Sequence, residues 1–247
     1  GVLEYSGAYA PEGCSPEEQL RSTLEHARAA LSENGQILIA IENRVGFKYL
    51  AGANVDHLNV ANIGLLEYPE PLSQSITRGI RTWSKQEWVR LLDGFGFPTY
   101  EFCYPFPDYK VPDAILADSF LESARYPEQV LGGIQSRDYV TTWWPDVSEP
   151  LFWKTVAQTR NMDEFANSFL IVIANTSEQL GQTIDFDFVR FASGRRKMAY
   201  RMQVAKKRTH DTVQRVLVSP GEAQPGELVS QLLIENEPFV DGQVLEA

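Results

Sequence analysis

Apolar and polar positions change period several times along this chain. Residues 16–34, PEEQLRSTLEHARAALSEN, repeat Leu20, Leu24, Ala27 and Leu31 at helical spacing. Ser15, Pro16 and Glu18 supply an N-terminal capping box, and Asn34-Gly35 supply the stop. The run QILIAI at 36–41 is continuously apolar, which is the pattern of a strand covered on both faces. GVLEYSG at 1–7 reads as a short strand before the helix. Strand, helix and strand then form a βαβ unit whose two strands are expected to run parallel. WSKQEWVRLLDGFGF predicts a second helix with Ser84 and Glu87 as its capping box and Trp88, Leu91, Leu92 and Phe95 as its inner face. TYEFCYPF at 99–106 and ANSFLIVIAN at 166–175 read as strands, expected to pair antiparallel. An aromatic-rich, irregular to helical insertion at 106–164 separates them.

The texture changes after Asn175. A polar linker is expected at 176–184, and FDFVRFASGRR, AYRMQVAKKR and TVQRVLVSP then predict three strands. QPGELVSQLLIENE reads as a helix opened by Pro225. This gives a first unit at 1–175 and a small β-rich unit at 185–247. The strand pattern already under way at residue 1 gives the expectation of a window from a longer polypeptide.

Composition narrows the function classes. A formal charge of −11 argues against nucleic acid, because phosphate binding needs a basic face. No apolar run approaches the roughly 20 residues a membrane helix needs. Cys14 and Cys103 form no metal-binding spacing with each other or with His26, His57 and His210, so no metal is expected and the cysteines read as reduced thiols of a cytoplasmic protein.

Ligands of open α/β sheets bind at the carboxyl ends of the strands. That rule singles out Leu3, Glu4 and Tyr5 at the end of the first strand, and Glu42, Asn43 and Arg44 at the end of the second. Lys48 follows in the long loop, as do Asp56 and His57, and His57 is a candidate general base. Asp108 and Lys110 lie in a turn after a strand. Blander readings stand beside these: a Glu–Arg surface pair, a solvated histidine, and core packing for the Trp143-Trp144 pair, which otherwise suits stacking on a sugar.

GVLEYSGAY, GQILIAIENRVGFKYLAGANVDHLN, RTWSKQEWVRLLDGFGF and YPFPDYKVP together resemble the later half of class I S-adenosylmethionine-dependent methyltransferases. The resemblance covers about residues 1–175 and is greatest to methyltransferases fused to glycosyltransferase or kinase-like modules in bacterial surface-polysaccharide biosynthesis. It implies an α/β fold: a partial Rossmann-like sheet of later strands with an antiparallel last hairpin, and GVLEY and QILIAI as the family's fourth and fifth strands. It implies S-adenosylmethionine as cofactor beside Leu3, Glu4 and Tyr5, with Glu4 and His57 catalytic. Glu42, Asn43, Arg44, Lys48, Asp108 and Lys110 would face a small-molecule or glycan substrate. The reaction implied is methyl transfer to an oxygen of a glycan or its precursor. The family's Gly-rich cofactor loop has no counterpart in these 247 residues, and no GxGxG occurs. The chain is therefore expected to be a fragment that works with neighbouring domains; the alternative is a non-catalytic scaffold module. Residues 185–247 faintly resemble the start of a kinase-like lobe, with Arg215 where a nucleotide-pairing lysine would be expected.

Overall fold

The computed structural model describes residues 2–69, 79–97, 99–139, 142–192, 202–210, 212–218 and 231–238. A 3-10 helix at Leu3–Tyr9 precedes helix α1 (Pro16–Ala29) and strand β1 (Ile37–Glu42). A short helix α2 (Phe47–Leu50) and a two-stranded ribbon, β2 (Asn54–Val55) with β3 (Val60–Ala61), fill part of the long loop. Helix α3 (Lys85–Gly94) leads to β4 (Thr99–Phe106), β5 (Ala114–Ala117) and α4 (Asp118–Ser123). Helices α5 (Glu149–Gln158) and α6 (Met162–Phe165) precede β6 (Ser168–Ala174), and α7 (Ser177–Thr183) follows it. Strands β7 (Phe186–Ala192), β8 (Met202–Lys207), β9 (Thr212–Val218) and β10 (Gln231–Pro238) complete the order.

The fold is mixed α/β on one mostly antiparallel sheet, ordered β1-β6-β4-β5-β7-β8-β9-β10. Strand β6 pairs antiparallel with both β1 and β4, so β1 and β4 point the same way. The register sets Glu42 against Ser168 and Thr99 against Ala174. The expected hairpin partners, 99–105 and 166–175, are thus neighbours across the insertion.

Both capping boxes form: Ser15 and Ser84 accept from the amides of Glu18 and Glu87, whose carboxylates return to the cap amides. Leu20 and Leu24 from α1 and Trp88 and Leu92 from α3 are buried against β1, β4 and β6. Full burial of each of the three leucines stabilises by roughly 1.5–3 kcal/mol. The insertion adds an aromatic layer in which Trp153 packs against Phe47, Phe106 and Phe152 at centroid distances of 5.6, 5.2 and 5.1 Å.

Four expectations are corrected. Residues 2–6 are not a strand, and no parallel βαβ unit forms among the described residues; the segment coils into the 3-10 helix. Gly7 permits this, because a Cβ there would lie 2.2 Å from the Gly79 carbonyl oxygen, and the Glu4 carbonyl accepts the Arg81 amide at 3.0 Å. The one parallel contact beside β1 is the isolated bridge of Asn43 with Trp83. The stretch expected as a linker carries α7, because the Thr176 side chain caps the Gln179 amide. Strand β7 then pairs with β5, so the C-terminal strands extend the first sheet. The insertion contributes β5 itself, a strand where none was expected. Lastly, residues 231–238 are a strand paired antiparallel with β9, not a helix: the consecutive Leu232, Leu233 and Ile234 do not follow a helical period. Pro225 lies outside the described residues, as do loop residues 70–78.

Candidate functional site

The end of β1 does gather polar chemistry, but inside the protein. Glu42 closes the strand with 5 % of its surface exposed. Its Oε1 accepts from Lys110 Nζ at 2.8 Å and its Oε2 from the Tyr49 hydroxyl at 3.0 Å. His57 Nδ1 stands 3.5 Å from the same Oε2, within ion-pair range but without hydrogen-bond geometry. Asp56 binds Lys48 Nζ through Oδ1 at 2.9 Å and Lys110 Nζ through Oδ2. Lys110 therefore bridges the two carboxylates. On its far side the His57 Nε2 meets the Tyr68 hydroxyl at 3.2 Å, and that hydroxyl meets Thr82 Oγ1 at 2.9 Å and the Thr82 amide at 3.0 Å.

Two carboxylates and two ammonium groups balance in this cluster, the minimum condition for holding charge away from water. Burial alone would raise the Glu42 carboxyl, but His57, Lys48, Asp56 and Lys110 outweigh it and hold it well below the usual carboxylate range. Asp56 moves the other way, raised by burial and by Glu42 against the pull of Lys48 and Lys110. Burial works against the Lys110 ammonium, yet Glu42 and Asp56 raise its pKa. The Tyr109 phenol is pushed up to about 12 by burial and then by Glu42. The Tyr5 phenol is also raised, by burial and then by Glu4 and Glu42. Tyr5 and Tyr109 are half-buried and Lys110 is one-third exposed, so these three form the cluster's side toward solvent.

The backbone spends strain and close packing on this arrangement. Glu67 and Tyr68 both adopt left-handed φ, 60° and 56°, which for residues of this size costs on the order of 1–3 kcal/mol each. Gly46 lets the loop approach β6 closely, since a Cβ there would sit 2.7 Å from the Asn167 Cα. Asn167 then receives the Lys48 amide on Oδ1 at 2.8 Å, fixing the start of α2.

The sequence-selected residues divide by partner. Glu42, Lys48, His57 and Lys110 converge, with Asp56 joining them. Glu4 is buried nearby on the 3-10 helix, its charge felt by Tyr5 and Tyr109, and its Oε2 has no hydrogen-bond partner. Leu3 packs against the main core. Asn43 is held in the backbone, donating to the carbonyls of Glu164 and Ala166 at 2.7 and 2.8 Å. Arg44 forks onto Glu87 at 2.6 and 3.2 Å and also reaches the Gly64 carbonyl and Glu67, so all its partners are protein groups. Asp108 Oδ1 accepts the Lys110 amide at 2.7 Å and shapes the turn that aims that lysine. Its buried Oδ2 makes no well-formed hydrogen bond, although after burial Asp108 is the chief influence raising the Tyr139 phenol.

Tyr68, Thr82 and Asn167 were missed. Asn167 was within reach: an antiparallel pairing of β1 with the strand at 168–174 sets it beside Asn43. Tyr68 and Thr82 carry no local signal: Tyr68 meets His57 from a turn at left-handed φ, and Thr82 meets the Tyr68 hydroxyl. Among the described residues, no group of three or more His, Cys, Asp or Glu side chains is placed to hold a metal ion, and no helix is long and apolar enough to cross a membrane. No family model, curated protein or solved structure matches the chain.

Proposed function

We propose that this chain forms the acceptor side of an S-adenosylmethionine-dependent methyltransferase of Rossmann-like type, acting on an oxygen of a glycan or glycan precursor. The observation that carries the reading is a pair of unmade hydrogen bonds. Buried side-chain atoms are nearly always partnered, and an exception asks for a role. Glu4 Oε2 and His57 Nδ1 are two of nine buried side-chain atoms without a hydrogen bond among the described residues, and they are the two that belong to the residues assigned catalytic roles from the sequence. The antiparallel β4–β6 pair agrees with the last hairpin that the resemblance implies.

Methyl transfer to a hydroxyl needs in-line positioning and a group to take the hydroxyl proton. Glu4 and His57 fill the second need, while Glu42 and Tyr68 orient the imidazole from either side. Lys110, the most exposed cation of the cluster, meets an incoming hydroxyl first. The residues present fit one wall of a cofactor site: the unpartnered Glu4 Oε2 would accept a hydrogen bond from a hydroxyl or ammonium of the cofactor, and Tyr5 sits beside it. Bound S-adenosylmethionine would supply the electrophilic methyl group. The remaining walls belong to the neighbouring domains of a longer cytoplasmic polypeptide in this reading.

A non-catalytic scaffold within a polysaccharide-assembly protein is the second reading. It is favoured by the near-complete burial of Lys48 and His57, with 1 % and 3 % of their side chains exposed. The two readings separate in an assay of labelled methyl transfer from S-adenosylmethionine to bacterial surface glycans by the full gene product. Label that appears with wild type and is lost with His57→Gln supports the enzyme. Absence of transfer with retained folding supports the scaffold.

A further inference from the structure

A second concave site adjoins the buried cluster. Ser136, Arg137, Asp138, Tyr139, Thr142, Trp143 and Trp144 line an open cleft of about 460 Å³, a volume ordinary for a small-molecule site. Trp144 is 82 % exposed, which leaves its indole face bare beside a second indole and a phenol. We propose that this cleft is a sugar subsite, seating a neutral pyranose ring next to the reacting unit of the acceptor. It rests on the glycan-acceptor reading above and deepens it: the acceptor is then at least a disaccharide.

A pyranose offers an apolar C–H face and a ring of hydroxyls, so its site needs aromatic planes with polar groups at the edges. The cleft has both. Its cation is already neutralised, because Arg137 Nη2 binds Asp113 Oδ2 at 2.6 Å, and this favours a neutral sugar over an acidic one. The walls are built in. Trp143 Nε1 donates to the Ala51 carbonyl at 3.0 Å, at the end of the short helix that carries Lys48. Ser136 Oγ donates to Glu149 Oε1 at 2.7 Å and accepts from Asn167 Nδ2 at 2.7 Å; Asn167 also holds the Lys48 amide. Tyr139 joins the two sites directly, with Lys110 Nζ 5.4 Å from its ring centroid. A glycan lying across Trp144 and Tyr139 is thereby led to Lys110.

The test reads binding alone and needs no methyl donor, so it can fail without the methyltransferase reading failing, and the reverse. The chain has five tryptophans, and their indole N–H signals are followed by NMR. The titrants are the methyl glycosides of glucose, galactose, mannose and rhamnose and the corresponding β-linked disaccharides, at millimolar concentrations. The expected result is a saturable shift of the Trp143 and Trp144 indoles, with a disaccharide binding more tightly than its monosaccharide. Trp144→Ala should weaken it about tenfold, the loss of one stacking contact, while Trp144→Phe keeps most of it. Trp144 is almost wholly in solvent, so both variants should unfold at the wild-type midpoint. No shift with any titrant, or binding that Trp144→Ala leaves unchanged, overturns the proposal.

Discussion

His57 and Glu42 meet inside the protein, the ring Nδ1 3.5 Å from the carboxylate Oε2 with 3 % and 6 % of the two side chains exposed. Tyr68 holds the opposite ring nitrogen at 3.2 Å, so the ring is held at Nε2 and presents Nδ1 to Glu42 without a hydrogen bond. If this ring takes a proton in the reaction, His57→Gln should lower the methyl-transfer rate by about a hundred- to ten-thousand-fold, with the affinity for S-adenosylhomocysteine unchanged. Steady-state kinetics with calorimetric titration checks this. Equal losses in rate and affinity would point to a structural residue instead.

Lys48 is the most deeply placed cation of the cluster, 1 % exposed and bound to Asp56 at 2.9 Å. Lys48→Met removes one charge and leaves Asp56 to Lys110 alone. The expected cost is about 3–5 kcal/mol in urea unfolding, the penalty of breaking a buried pair. Lys48→Met with Asp56→Asn should cost less than the sum of the two single changes, because the second change removes the stranded charge.

Arg44 separates position in sequence from role in the fold. It follows Glu42 by two residues, yet it clamps Glu87 of α3 with two hydrogen bonds and holds the loop carbonyl of Gly64. Arg44→Lys keeps the charge and loses the fork. A stability loss of about 2–3 kcal/mol is expected, with sugar affinity unchanged. Urea unfolding and glycoside titration of the same variant test both halves.

This contrast shows what the sequence made legible. The two capped helices, β1, β4, β6 and the three strands at 186–218 were readable, since capping boxes and unbroken apolar runs are local signals. The long loop and the turn after β4 pointed to Lys48, His57 and Lys110, which converge with Glu42, the one member of the cluster that the strand-end rule chose. That rule could not distinguish a side chain facing the cluster from one facing a neighbouring helix, as Arg44 does. Leu3–Tyr9 misled for another reason. Its apolar spacing suits a strand, but its backbone is set by the close meeting of Gly7 with Gly79, a contact between segments more than seventy residues apart.

Stability should respond to pH at both extremes, with signs set by the cluster. Burial raises the Glu42 carboxyl, but its four neighbours outweigh that and depress it, so its contribution is present above its unfolded value of about 4.3 and is lost as pH falls through the folded value. Asp56 is raised and opposes this, because its folded form binds the proton more readily. The Lys110 ammonium, which Glu42 and Asp56 raise against burial, and the Tyr109 phenol, raised to about 12 by burial and Glu42, act together in alkali. Each contributes stability below its unfolded value of about 10, lost as pH rises through the folded value. Urea midpoints should therefore fall above about pH 10, and Lys110→Met with Tyr109→Phe should fall less steeply than wild type. Parallel curves would exclude these two groups as the cause.

The most direct measurement is calorimetric titration of S-adenosylhomocysteine into this chain and into the complete product of its gene. Saturable one-to-one binding by the complete product, weakened by Glu4→Gln, is the expected result and would support a methyltransferase whose acceptor side is described above. Absence of binding by both proteins would contradict it and leave a buried ion cluster in a scaffold.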